Sequence, residues 1–262
     1  PRRTIMQSEV LNCDLQSRVA TIELNRPDSL NSFNQQLRKD LLAAIQLAEA
    51  YENIRVIRIK GAGRGFCAGA DLGEGLERSI ENELIEEYKP IMMAIHDSPK
   101  IFVAQVHGSA AGIGAALAFV CDMTIMAEDA YAYLAFAAIG LVPDGGLHWH
   151  LYHALGPRKA FELIVEGGRL TAQQCMEYGL CNAVAPQEKL DEFVLAKAAK
   201  IADGAPLSQR AVKEIMRQMN GLTLSETINL EAELQQPLTE SEDCRNAIQA
   251  FFNKQKPVFE GK

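Results

Sequence analysis

Apolar residues along this chain follow two rhythms, and the order in which they occur is the first clue to its architecture. Short apolar or alternating runs over residues 19–24 and 54–59 each end at a turn signal and predict β-strands. Residues 101–106 predict a third strand and 123–126 a fourth. Between these strands, helical spacing predicts helices over 34–50 and 80–96 and a small-residue helix from about 112 to 120. Strands alternating with helices imply an α/β architecture with crossover connections. Past Gly156 the pattern turns helical, over 158–165, 172–178, 189–202, 206–219, 225–234 and 240–252, with one short extended interruption over 182–186. The expected organisation is an α/β core over residues 1–200 followed by a helical region over 201–262, with no low-complexity linker and no strong repeat.

Composition narrows the classes of partner. The 262 residues can bury an ample core, and 48% hydrophobic with 23% charged residues is ordinary for a globular protein. A net charge of −8 argues against nucleic acid, which calls for a surplus of lysine and arginine, but leaves room for a small anion held by local basic groups. Six scattered cysteines without a C-x-x-C pair suit reduced thiols in a cytosol-like compartment. No signal peptide and no run long enough to cross a bilayer is found. A cytoplasmic protein without membrane contact is expected.

Three stretches could carry chemistry. Gly61-Ala-Gly-Arg-Gly-Phe-Cys-Ala-Gly-Ala-Asp-Leu72 follows a strand, but its third fingerprint glycine would fall at Phe66, so it does not read as a dinucleotide loop. A glycine-rich turn remains, able either to approach a ligand or simply to turn tightly. His107-Gly-Ser-Ala-Ala-Gly-Ile-Gly-Ala-Ala-Leu117 misses the nucleophile-elbow spacing of serine hydrolases. A helix starting near Gly112 would present free N–H groups and a positive dipole end to an oxyanion, although its small residues equally suit close packing. Leu141-Val-Pro-Asp-Gly-Gly-Leu-His-Trp-His150 sets one carboxylate in a turn. Asp144 could be a metal ligand with His148 and His150, a helix cap, or a proton-transfer group.

Together these stretches resemble the crotonase superfamily of enoyl-CoA hydratases and isomerases. The resemblance spans nearly the whole chain, through Asn25-Arg-Pro, Gly65-Phe-Cys-Ala-Gly-Ala-Asp-Leu, Ala110-Ala-Gly-Ile-Gly-Ala, Gly140-Leu-Val-Pro-Asp-Gly-Gly, Leu170-Thr-Ala-Gln-Gln-Cys-Met-Glu-Tyr-Gly-Leu180 and Ala250-Phe-Phe-Asn-Lys-Gln-Lys-Pro-Val-Phe. It implies a spiral of β-β-α units with a helical C-terminal oligomerisation region that builds homotrimers, often paired into homohexamers. It also implies an acyl-CoA thioester as substrate, with coenzyme A part of that substrate and no further cofactor or metal. The implied enolate-stabilising donors are the amides of Ala70 and Ile113. The implied substrate contacts are Arg26 and Leu30 near the nucleotide, Ala68, Asp71 and Leu72 along the adenine and pantetheine, and Lys254. Arg26 and Lys254 read equally as solvated charges.

Departures from the family pattern sharpen the reading. Hydratases of the family carry two glutamates, and the corresponding positions here are Ala116 and Phe136, neither of which moves a proton. Asp144 takes the acid position of the isomerase branch, which includes enzymes that rearrange epoxyphenylacetyl-CoA. Trp149 also matches that branch, whereas Leu147 and His148 depart from its usual small residues. A free aspartate titrates near pH ~3.9, and an apolar pocket including Phe136 raises its basicity. The expected activity is a double-bond shift from 3-enoyl-CoA to 2-enoyl-CoA. The alternatives are ring-epoxide or oxepin isomerisation, attack by Asp144 on an aryl halide, and a weakly active acyl-CoA-binding protein of the same fold.

Overall fold

The computed structural model describes residues 2–75 and 79–262. Three strands open the chain as an antiparallel meander, β1 (Arg2–Gln7), β2 (Leu11–Gln16) and β3 (Val19–Leu24). Helix α1 (Gln35–Ala50) then crosses to β4 (Val56–Gly61), which pairs with β3 in parallel. Asn34 starts α1, its side chain accepting the Leu37 amide at 2.9 Å. Helices α2 (Ile80–Glu83) and α3 (Lys89–Asp97) are joined by a five-residue π-helical turn, Leu84–Tyr88. Next come β5 (Ile101–Val106), the short β6 (Ser109–Ala111), α4 (Ile113–Val120), β7 (Met123–Ala127) and β8 (Tyr131–Tyr133).

The main sheet has the order β1-β2-β3-β4-β5-β7-β10, and every pair after β3 is parallel. Its central strands read as near-continuous apolar runs because both faces are covered, with α1 and α4 packing on strands of this sheet and α7 on β3, β4, β5 and β7. A second sheet holds β6, β8 and β9 (Arg169–Thr171). Between β8 and β9 runs α5 (Leu147–Glu166), kinked at Gly156, where φ is 74°. Beyond β9 lie α6 (Ala172–Glu177), β10 (Ala183–Ala185) and α7 (Leu190–Ala202). The chain closes with α8 (Pro206–Gln218), α9 (Leu224–Thr239) and α10 (Glu242–Phe252).

The helical C-terminal third is bolted to the core by polar contacts. Lys213 of α8 is buried, and its Nζ donates to the carbonyls of Ile95 (3.0 Å) and Lys100 (2.9 Å) and to Asp122 Oδ2 (2.8 Å). Arg55 reaches the carbonyls of Ala202 and Phe259, tying the α7 end and the C-terminal tail to the start of β4. Among the described residues no helix is long and apolar enough to cross a membrane.

Candidate active site

The segment after β4 is clamped from two sides by main-chain bonds. On one side, Ala68 N–H donates to Leu30 O (2.9 Å), Phe33 N–H to Gly69 O (2.8 Å) and Asp71 N–H to Phe33 O (3.0 Å). On the other, Ala111 N–H donates to Cys67 O at 2.9 Å. Gly69 makes the close approach possible: its φ is +99°, and a Cβ there would stand 2.9 Å from Ala111 O. This bonding passes over the Ala70 amide, which donates to nothing among the described residues. Ile113 is the first residue of α4, behind Gly112, and its amide is likewise free, as helix-start amides are. The two segments abut, since a Cβ on Gly112 would lie 3.8 Å from Gly69 Cα. Two unspent N–H groups therefore stand on touching backbones, one at the positive end of a helix whose residues 113–120 include no charged side chain.

The carboxylate comes in on the turn before α5. Gly145 has φ +63°, and a Cβ there would fall 2.7 Å from Ala116 Cβ and 2.9 Å from Ile113 Cγ1. The turn that carries Asp144 thus rides on the first turn of α4. Asp144 Oδ1 is buried and has no hydrogen-bond partner among the described residues. Burial pushes the carboxyl up to about 6, opposing the pull of its own amide and assisted by the negative charge of Glu83. The helix-cap reading fails here: α5 starts from Gly146 without any side-chain cap. The metal reading gains no geometry either, because no group of three His, Cys, Asp or Glu among the described residues could hold an ion. His148 is exposed, while the ring of His150 leans on Gly146. Phe136 is buried with a ring carbon 3.7 Å from the Cβ position of Gly112, which makes it an apolar wall of the same space.

The expected coenzyme contacts form an adjoining rim. Arg26 and Asp71 hold each other, with Nη2 2.9 Å from Oδ2, and Arg26 also donates to Ser32 O at 2.6 Å. Partial burial acts upward on the Asp71 carboxyl, but the bonds from Arg26 and the Gly73 amide outweigh it and keep the carboxyl below its ordinary value. Arg26 is therefore an engaged group and not a solvated charge. Leu30 and Ala68 are joined through their backbones, and Leu72 stands 69% exposed at the start of a 3-10 turn, an apolar side chain open to solvent. Lys254 shares no described bond with these residues. It is exposed in the turn after α10, and its described bond is its own amide to Phe251 O.

The family described as Enoyl-CoA hydratase/isomerase matches residues 14–262. The chain belongs to the enoyl-CoA hydratase/isomerase family. It is 34% identical over 259 residues to a protein named probable enoyl-CoA hydratase from Rhodobacter capsulatus, covering 98% of this chain and 100% of that one. It is 33% identical over 250 residues to 1,2-epoxyphenylacetyl-CoA isomerase of Escherichia coli, covering 93% and 95%. The crystal structure of an enoyl-CoA hydratase from Bacillus anthracis superposes with a TM-score of 0.92 at 30% identity, over 97% of this chain and 100% of that one. The architecture is the crotonase fold.

As a member of the hydratase/isomerase family, the chain also carries polar groups near the site that pattern reading did not single out. Arg38 lies on the buried face of α1 among Leu37, Leu41 and Ile45. Its guanidinium gathers Glu87 (2.6 Å), Glu74 (3.2 Å) and Glu83 (3.5 Å), together with the Phe33 carbonyl and the Tyr88 hydroxyl. One arginine so fastens both the turn at residue 74 and the 83–88 segment. An arginine inside an otherwise apolar helical stripe was the available signal. Glu83 had none, since its relation to Asp144 depends entirely on how the chain folds.

Proposed function

We propose that this chain is an acyl-CoA isomerase that converts a 3-enoyl-CoA into the 2-enoyl-CoA with Asp144 as its one proton shuttle. The observation that carries the reading is the buried Asp144 Oδ1, without a partner among the described residues, on a turn that packs against the start of α4 where one of two free amides lies. Ionised Asp144 takes the proton from the carbon next to the thioester carbonyl. The electrons of that C–H bond move toward the thioester oxygen, and the amides of Ala70 and Ile113 stabilise the charge that develops there. The carboxylic acid then returns the same proton to the γ-carbon, and the double bond comes to rest in conjugation. A single carboxylate suffices because one proton is moved and no water is added. The relay uses this chain's own groups and the coenzyme A that the substrate brings.

Hydration needs more acid/base machinery, and the two positions that would supply it hold Ala116 and Phe136, both buried and apolar. Each positioned acid or base contributes roughly 10²–10⁴ in rate, so hydration of crotonyl-CoA is expected at least a few hundredfold below isomerisation. The test is a panel of 3-enoyl, 2-enoyl and arylacetyl thioesters incubated in deuterated water and read by mass spectrometry. A double-bond shift with little deuterium in the product is the expected result, because Asp144 returns the proton that it removed; hydration that rivals isomerisation sinks the proposal. A second reading, ring-epoxide isomerisation, is favoured by the similarity to 1,2-epoxyphenylacetyl-CoA isomerase and by the aromatic wall at Phe136.

We further propose that the C-terminal helices join copies of the chain into a homotrimer or homohexamer. Phe251 and Phe252 stack edge-on and are each 77% exposed, beside a further exposed Ile248 on the same helix. An apolar face of this kind is usually covered. Mass measurement in solution should give a multiple of three chains, and a stable monomer at micromolar concentration contradicts it.

A further inference from the structure

The proton relay leaves one polar side chain at the catalytic turn without a task. His150 sits on the first turn of α5, with its ring Cδ2 and Nε2 each 3.9 Å from where a Cβ of Gly146 would stand. The Trp149 ring meets it edge-on at 5.1 Å. Its main-chain amide bonds to Gly146 O at 3.1 Å, yet neither ring nitrogen has a hydrogen-bond partner among the described residues. The imidazoles that face it are already engaged, His96 Nδ1 with Asp97 (2.8 Å) and His153 Nδ1 with the Trp149 carbonyl (2.7 Å). Burial first, and then those two rings, hold His150 down to about 4, so at neutral pH it offers one donor and one acceptor. His150 is half-buried, so water reaches its ring in the free protein, and an acyl group lying over the ring would displace that water.

The charges nearby say which partner fits. Glu83 acts on the same turn through its negative charge. The Arg38 that faces Glu83 is shared among three carboxylates, with Glu83 the most distant of them. An acyl group ending in a carboxylate would meet Asp144 and Glu83 with no spare cation. A hydroxyl carries no charge and is donor and acceptor at once, as the neutral imidazole is.

We propose that His150 is a specificity-determining residue that selects acyl groups bearing a hydroxyl over plain hydrocarbon acyl groups. The inference rests on the acyl-CoA reading of the pocket but not on any turnover. A hydrocarbon acyl group would cover the imidazole and leave it unpaired, which is the kind of contrast binding sites use to discriminate.

Calorimetry on the assembled protein tests it with saturated thioesters, which cannot undergo a double-bond shift. Phenylacetyl-CoA is compared with its three ring-hydroxylated isomers, and hexanoyl-CoA with chains hydroxylated at carbons 4 to 6. At least one hydroxylated thioester is expected to bind about tenfold tighter than its plain parent. His150→Phe, which keeps the ring and loses its nitrogens, should bring that ratio close to one, whereas His150→Gln, which keeps a donor and an acceptor, should retain most of it. The proposal is overturned if wild type shows no preference, if the preference survives in the Phe variant, or if the Gln variant is as indifferent as Phe. Absence of isomerisation in deuterated water would remove the proposed activity and leave this ratio standing.

Discussion

Asp144→Asn is expected to lower turnover by about 10²-fold or more while thioester affinity and melting temperature stay close to wild type. Asparagine has nearly the shape of aspartate but cannot accept a proton at neutral pH. The turn itself is set by Gly145, Gly146 and Pro143, and the proposed oxyanion donors are main-chain groups, so nothing else at the site need move. The carboxyl is raised from its ordinary value to about 6 by burial, and only its ionised form can take a proton. The wild-type profile of kcat/KM should therefore fall as pH drops through about 6. The asparagine variant should lack that acid limb. Undiminished turnover in the variant, or an unchanged acid limb, would end the role given to Asp144.

The second large effect concerns stability. Lys213→Met keeps most of the apolar stem and removes the ammonium group that meets Asp122, Ile95 and Lys100. Asp122 is then left mostly covered with its charge unanswered, and its remaining described bond is from the Phe102 amide at 2.7 Å. Removing one partner of such a pair costs about 3 kcal/mol, read as a lower denaturant midpoint at fixed protein concentration. Adding Asp122→Asn to the lysine variant should recover part of the loss, because the stranded charge goes with it. If Lys213→Met unfolds with the wild-type midpoint, the lysine is not what fastens the C-terminal helices to the core.

Much of the site was legible from residue type because it is built from small residues in loops. Gly69, Gly112 and Gly145 mark the places where backbones touch, and no other residue type leaves that space. Strands over 19–24 and 101–106 emerge as expected, since long apolar runs need burial on both faces. The strand expected over 54–59 begins two residues later, at Val56, because the Ile54 amide is spent on the Tyr51 carbonyl in a turn. Strands β6, β8 and β9 were not foreseen: three residues are too few to show a period of two. The helix expected over 80–96 hides the π-helical turn, whose i→i+5 bonds leave no trace in composition. The first half of α5 was missed because Gly156 and Pro157 read as a stop, whereas the chain resumes its helix beyond a kink. In the sequence His150 offered only a possible metal ligand beside Asp144, and only the partners of its neighbours distinguish it.

The two amides proposed as oxyanion donors belong to the main chain, and this decides how the protein can change over generations. A substitution at residue 70 or 113 alters a side chain but cannot delete its N–H, proline excepted. Drift at those positions is therefore silent to the field that steadies the enolate, provided the fold survives. The proposed proton relay has the opposite character, since it hangs on one side chain that a single substitution can erase or a neighbouring one can supplement. New reactions on this scaffold are thus expected to arise by adding or removing acids and bases at positions such as 116, 136 and 144, around an anion cradle that is inherited with the backbone.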